Sequence, residues 1–151
     1  MLVSLYALPG LAQALDAVAT RGIVVKRAIA CDKPGVLDWV GAHFPGSVAE
    51  VETAFAQVPA CVFVALQEGR IVGFACHDVT MRNFFGPEGV DPSMRGIGVG
   101  RALLLSALHA MQAAGYAYAI IGGVGPAEFY ARCVGAVPIE GSTPGVYRDR
   151  L

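Results

Sequence analysis

Apolar residues along this chain keep two rhythms, one near every third or fourth position and one at alternate positions, and these mark out its elements. Residues 2–8 read as a short strand or extended arm that stops at Pro9-Gly10. Leu11, Leu15 and Val18 share one face of a helix over residues 11–20, with Gly22 as its stop signal. Ile-Val-Val-Lys-Arg-Ala-Ile over residues 23–29 predicts the first strand of the main sheet. Helices over residues 32–44 and 47–57 follow, parted by Pro45-Gly46. Ser47 and Glu50 have the spacing of a capping box at the start of the second.

The next stretch alternates as strands do. Residues 60–67 and 70–80 predict a hairpin about Glu68-Gly69, and residues 84–90 a further strand. Proline cannot donate to a ladder, so Gly86-Pro87 predicts a bulge inside that strand. Leu104, Leu108 and Met111 stripe a crossover helix over residues 98–114, which leads to a buried strand at 116–121. A short helix over 126–134 and two last strands flanking residues 141–145 complete the chain. The pattern predicts an α/β (α+β) fold: a mixed, mainly antiparallel sheet with helices on both faces and an extra strand and helix at the N-terminal end.

At 151 residues the chain is read as one domain with a sizeable core. A net charge of −1 with no basic run gives no electrostatic case for nucleic acid. Residues 102–127 hold no charged side chain, a span long enough for a bilayer. Gly115 divides it, and its two halves differ in rhythm, so it reads as a buried helix and strand with no membrane partner. The N-terminus lacks a basic start and cleavage site, so a cytoplasmic protein is expected. The apolar content of 55% leaves a homodimer open. Cys31, Cys61, Cys76 and Cys133 show no Cys-x-x-Cys spacing, and His43, His77 and His109 lie far apart, so no metal site or disulfide is expected.

The chemistry concentrates in residues 90–104. Val90-Asp-Pro-Ser-Met-Arg95-Gly96-Ile97-Gly98-Val99-Gly100-Arg101 places three glycines at alternate positions where a strand ends and an apolar helix begins. The first N–H groups of a helix have no partner within it, and the helix dipole adds positive charge there. Such a terminus takes an anion such as a pyrophosphate, and Arg95 and Arg101 add charge. The spacing fails the Gly-x-Gly-x-x-Gly of dinucleotide folds, and no Gly-Lys-Ser/Thr of a P-loop is present. Val-x-Pro-x-x-Arg-Gly-x-Gly-x-Gly resembles instead the acyl-CoA loop of the GNAT (general-control-related) N-acetyltransferase superfamily.

A second motif, Glu128-Phe129-Tyr130-Ala-Arg132-Cys133-Val-Gly135-Ala, follows about thirty residues on. It resembles the family's Phe-Tyr-x-Lys/Arg-x-Gly segment, with one extra residue between Arg132 and Gly135. The likeness covers roughly residues 61–147. It implies a GNAT core over residues 22–151 behind an N-terminal extension of residues 1–21, with a sheet that splays to admit acetyl-CoA and release CoA. By resemblance, the N–H groups of residues 96–101 (Gly96, Ile97, Gly98, Val99, Gly100 and Arg101) hold the pyrophosphate, and Val90 backbone meets the thioester carbonyl. Tyr130 holds the family's place for assisting the departing sulfur. The family often has an asparagine seven residues earlier; here Gly123 stands there.

The base that frees the amine is the less determined part. Glu88 is the first candidate, two residues before Val90 and so on the same side of the strand. Asp78 and His77 are alternatives, of which strand alternation lets only one face the site, and a water chain is another. Acceptor-pocket candidates are Trp39, His43, Phe44, Ser142 and Tyr147, a set with few carboxylates that suits a small-molecule amine. Trp39 and Phe44 would lie about 140° apart on a helix, so at least one should be buried. The function implied is acetyl transfer to a primary amine by direct attack in a ternary complex. A protein Lys or N-terminal acetyltransferase and a non-catalytic acyl-CoA-binding module stay open beside it.

Overall fold

The computed structural model describes residues 1–149. Its centre is a six-stranded sheet in the order β1-β6-β5-β4-β3-β2. The strands are β1 (Leu2–Ser4), β2 (Ile23–Arg27), β3 (Val62–Gln67), β4 (Arg70–His77), β5 (Phe84–Val90) and β6 (Tyr118–Ile121). All neighbours are antiparallel except β5 and β6, which the crossover helix makes parallel.

Alternation along the central strands buries both faces. Phe63, Ala65 and Ala75 face α1 (Leu11–Ala19) and α4 (Val99–Ala113), in a core with Val18, Leu103, Leu104, Leu108 and Met111. Val62, Val64, Phe74 and Cys76 face α2 (Lys33–His43) and α3 (Val48–Phe55), against Val36, Val40 and Val51. The fifth helix, α5 (Ala127–Val134), ends at Gly135, whose φ of +65° is the left-handed conformation glycine adopts at helix ends. No helix among the described residues is long and apolar enough to cross a membrane.

Three expectations give way. Ser47 makes no side-chain cap: its backbone is helical (φ −103°, ψ −3°) and not extended as a cap requires, and the Glu50 carboxylate accepts the Thr80 hydroxyl instead of the Ser47 N–H. The two last strands do not form among the described residues. Leu2 exchanges two backbone hydrogen bonds with Val137, at 2.7 and 3.0 Å, and Pro138 has no N–H with which to continue the ladder. The edge of β6 is already filled by β1, in the register Leu2↔Ile120 to Ser4↔Tyr118. Trp39 and Phe44 are not on one helix. Phe44 has left α2, at φ −141° and ψ +58°, so the angular argument lapses and the two half-buried rings meet at 5.7 Å.

The bulge forms where Gly86-Pro87 placed it. Between the pairs Ala75↔Glu88 and His77↔Phe85, β5 carries one residue more than β4. On its other side β5 pairs with β6 only at Phe84 and Phe85. Beyond that point the parallel strands part, and a cleft opens.

Candidate active site

The cleft, about 600 Å³, runs from the N-terminus of α4 through the gap between β5 and α5 to Phe44. The backbone at its mouth depends on glycine: Gly96 has φ +77° and Gly98, the residue just before α4, φ +100°. Asp91 shapes the preceding turn by accepting the Ser93 N–H at 2.8 Å and the Ser93 hydroxyl at 2.7 Å. Ala102 is the first residue of α4 with a helical hydrogen bond, to Gly98 O at 3.0 Å. The N–H groups of Val99, Gly100 and Arg101 are therefore free of intrahelical partners, at a helix end that lines the cleft through Gly98, Gly100 and Arg101. Arg95, Arg101 and Arg132 border the cleft and Glu88 is its one carboxylate, so the cavity favours an anion.

Gly100 also sets how deep the cleft is. A Cβ there would stand 3.3 Å from Glu88 Oε1 and 3.4 Å from the Phe129 ring. Gly89 does the same from the opposite face of β5, where a Cβ would come within 2.8 Å of the Phe44 and Phe74 rings. Asp91 N–H donates to Val72 O at 3.0 Å, so antiparallel alternation turns the Val90 N–H and C=O away from β4, toward the parted side. Arg95 Nε donates to Val90 O at 3.2 Å, tying the glycine loop to the strand.

Glu88 and Tyr130 meet inside this cleft. The Tyr130 hydroxyl donates to Glu88 Oε2 at 3.4 Å, and Glu88 Oε1 is shielded from solvent with no hydrogen-bond partner. Burial pushes the Glu88 carboxyl up to about 8, with the Tyr130 hydrogen bond pulling weakly the other way. Burial, then the charge of Glu88, raises Tyr130 far above the ordinary phenol range. A base near 8 and a phenol held protonated are the two proton-handling groups a transfer reaction at neutral pH needs. The Cys133 thiol is also pushed up by burial and stays protonated, which suits packing more than nucleophilic attack.

Among the sequence candidates, Glu88, Val90, Arg95, Gly96, Gly98, Gly100, Arg101, Tyr130 and Phe44 line this cleft together. Ile97 and Val99 pack into the core with their side chains, leaving only backbone to offer. The acceptor set is dispersed. His43 stacks on Trp39 at 4.5 Å on the outer side of α2, and Trp39 borders a neighbouring groove with Glu68 and Asp91. Ser142 and Tyr147 line a separate hollow beside Phe84 and Gly122, because no final hairpin carries them back over the cleft. His77 and Asp78 do not line it either. Gly122 is occupied otherwise: a Cβ there would strike the Phe84 ring at 2.8 Å, and Gly123 lies against Tyr147.

Phe129, Arg132, Pro126 and Gly89 line the cleft without having been singled out as site residues. Phe129 and Arg132 stand inside the second motif, so that segment held the signal. Gly89 carried none, since its role is the closeness of two rings distant in sequence.

Comparison with known proteins agrees with this geometry. Residues 59–133 match the model of the acetyltransferase (GNAT) domain. No curated protein matches the sequence. Among solved structures, a glucosamine N-acetyltransferase region of a fungal multi-domain GH3 beta-N-acetylglucosaminidase superposes with a TM-score of 0.71 at 15% identity, over 88% of this chain and 19% of that one. A GNAT-type N-acetyltransferase from Sphaerobacter thermophilus gives 0.61 at 18% identity, over 87% of this chain and 45% of that one. An aminoglycoside acetyltransferase from an uncultured soil metagenomic sample gives 0.58 at 17% identity, over 79% and 92%. This chain thus spans less than half the length of the first two, and likeness at such identities speaks to fold. The matched domain model, the split sheet and the glycine-lined helix end agree: the chain belongs to the GNAT acetyltransferase superfamily.

Proposed function

We propose that this protein is an acetyl-CoA-dependent N-acetyltransferase that acetylates a primary amine of a small molecule by direct attack in a ternary complex. The observation that carries this reading is the single cleft in which an anion-binding helix end and the Glu88–Tyr130 pair meet at the sheet split. Two structural neighbours are named for complexes with acetyl-CoA or CoA, a GNAT acetyltransferase from Brucella melitensis and one from Escherichia coli. The cleft has the residues for that substrate. The open N–H groups at the start of α4 and the arginines would take the pyrophosphate, and the parted strands would take the pantetheine arm.

The chain's own groups then divide the proton work. Glu88, as carboxylate, takes a proton from the incoming ammonium and leaves a neutral amine free to attack the thioester carbon. Val90 N–H, turned toward the gap, stabilises the carbonyl oxygen as it gains charge. When the carbon–sulfur bond breaks, the sulfur keeps the electron pair and Tyr130 supplies its proton. Tyr130 recovers a proton from Glu88 along their hydrogen bond, which returns both groups to their starting state. The new amide nitrogen releases its surplus proton to solvent. Cys133 takes no part, so no acyl-enzyme forms.

The test is acetyl-CoA-dependent thiol release over amino sugars, amino acids, polyamines, aminoglycosides and short peptides. Turnover with one small-amine class supports the reading. Turnover with peptides alone would replace the acceptor class, and binding of acetyl-CoA with no turnover over the whole panel would point to a binding module.

A further inference from the structure

Three unlike donor groups converge where β3 begins and β4 ends, outside the lining of the cleft. We propose that Cys61, His77 and Asp78 form a binding site for one transition-metal ion of the Zn2+ type, through one sulfur, one nitrogen and one oxygen. One donor atom of each lies within 4.8 Å of the other two, and this is the one such group among the described residues. His77 Nδ1 and Asp78 Oδ2 are 3.0 Å apart.

The hairpin brings these residues together although Cys61 and His77 stand sixteen positions apart, a spacing that signals nothing in the sequence. His77 N–H donates to Cys61 O at 3.0 Å, which sets the two side by side on neighbouring strands. Asp78 lies just past the end of β4 in the left-handed region, at φ +57°. Strand alternation lapses there, so consecutive side chains come together instead of taking opposite faces.

Nδ1, which faces Asp78 Oδ2, is the nitrogen His77 presents to the group. The ring is only 4% exposed and its Nε2 has no hydrogen-bond partner, so no other contact competes for the imidazole. A buried imidazole in a folded protein normally has both nitrogens satisfied. Asn83, whose N–H donates to Asp78 Oδ1 at 2.7 Å, also holds an unpartnered buried oxygen. Gln57 adjoins the group: its Oε1 accepts from Cys61 Sγ at 3.3 Å and its Nε2 donates to Asp78 O at 2.9 Å, so it or a water would supply the fourth ligand.

A mixed sulfur, nitrogen and oxygen set suits Zn2+ and its Co2+ substitute, whereas Mg2+ and Ca2+ take oxygen alone. Ligands about 2.0–2.3 Å from one ion stand roughly 3.3–3.8 Å from each other, so Cys61 would close on the other two by up to about an ångström while the His77–Asp78 pair, at 3.0 Å, opens slightly. The metal–sulfur bond forms as the Cys61 thiol gives its proton to solvent and the ion sheds water. No electron changes hands. The bound ion would pin α3, through Gln57, to the hairpin, and this role is independent of acetyl transfer.

The experiment is titration of the metal-free 151-residue chain with Co2+, read by absorbance, and with Zn2+, read by melting temperature. The expected result is one Co2+ per chain with thiolate charge-transfer and tetrahedral d–d bands. Zn2+ at a hundredfold excess over its Kd should raise the melting temperature by about 5–10 °C. Cys61→Ala should remove the charge-transfer band, while Cys31→Ser, which changes an exposed thiol, should keep it. An octahedral aqua-type spectrum in the wild type, a band lost with Cys31→Ser, or no thermal shift with Zn2+ would overturn the site; none of these needs the Cys61 variant to fold.

Discussion

The Tyr130 hydroxyl reaches across the split sheet to Glu88 Oε2 at 3.4 Å, which makes the two residues one titrating unit. Tyr130 stabilises the ionised carboxylate, and the carboxylate in turn holds the phenol proton in place. Changing either residue therefore changes the other's chemistry.

That coupling sets the pH dependence. With Glu88 near 8, kcat/KM for the amine should rise with pH up to about 8 and then level at that limb. Tyr130→Phe removes the bond that holds Glu88 down, so the limb should move to higher pH while kcat falls by about 10²-fold. A pH–rate profile of both proteins checks this; an unmoved limb would separate the two residues.

Stability gives an independent reading of Glu88. Its pKa is about 8 in the fold against 4.5 in the unfolded chain, so between these values the folded state holds a proton the unfolded state has released. Stability contributed at this position is fullest below about 4.5 and falls as pH rises toward 8. Glu88→Gln should relieve a penalty on the order of a few kcal/mol at pH 8 and little at pH 4.5. Urea unfolding at both pH values measures it.

Gly100→Ala adds a methyl 3.3 Å from Glu88 Oε1 and 3.4 Å from Phe129, at the helix end proposed to take the pyrophosphate. Alanine favours the helix itself, so the melting temperature should change by only a few degrees. The KM for acetyl-CoA should rise by about tenfold, as a loss of roughly 1.4 kcal/mol of binding implies. Steady-state kinetics and a thermal melt on the same preparation separate the two effects.

Residues 1–21 send four side chains, Val3, Leu5, Ala14 and Val18, into the core. Val3, Leu5 and Val18 are almost wholly buried, and β1 fills the sheet edge beside β6. Leu5→Ala should cost about 2–5 kcal/mol, the range for a large-to-small change in a packed interior. A variant within 0.5 kcal/mol of wild type, by the roughly neutral standard of surface changes, would place this segment outside the cooperative unit.

The glycine-lined end of the cleft was legible because it is local. Residues 96–101 fix their own backbone through glycine, Val90 and Tyr130 lie within the two motifs, and Glu88 follows from Val90 by strand alternation. The hairpin, the crossover helix and the bulge at Gly86-Pro87 follow from alternation and from proline's missing N–H. The far wall of the cleft was not legible. Which residues stand opposite the cleft depends on how Phe44 leaves α2, on two rings packing over Gly89, and on where residues 135–149 run once β1 holds the edge. Those are long-range outcomes, and no local rhythm encodes them. His77 and Asp78 escaped the alternation rule because the strand ends between them.

The most direct test compares wild type, Glu88→Gln and Tyr130→Phe for acetyl-CoA affinity by calorimetry and for thiol release with the best amine. Affinity within about threefold in all three proteins, with turnover reduced by about 10²–10⁴-fold in both variants, is the outcome expected of a proton-handling pair beside an intact cofactor site. Turnover retained in both variants, or no acetyl-CoA bound by the wild type, would contradict the account.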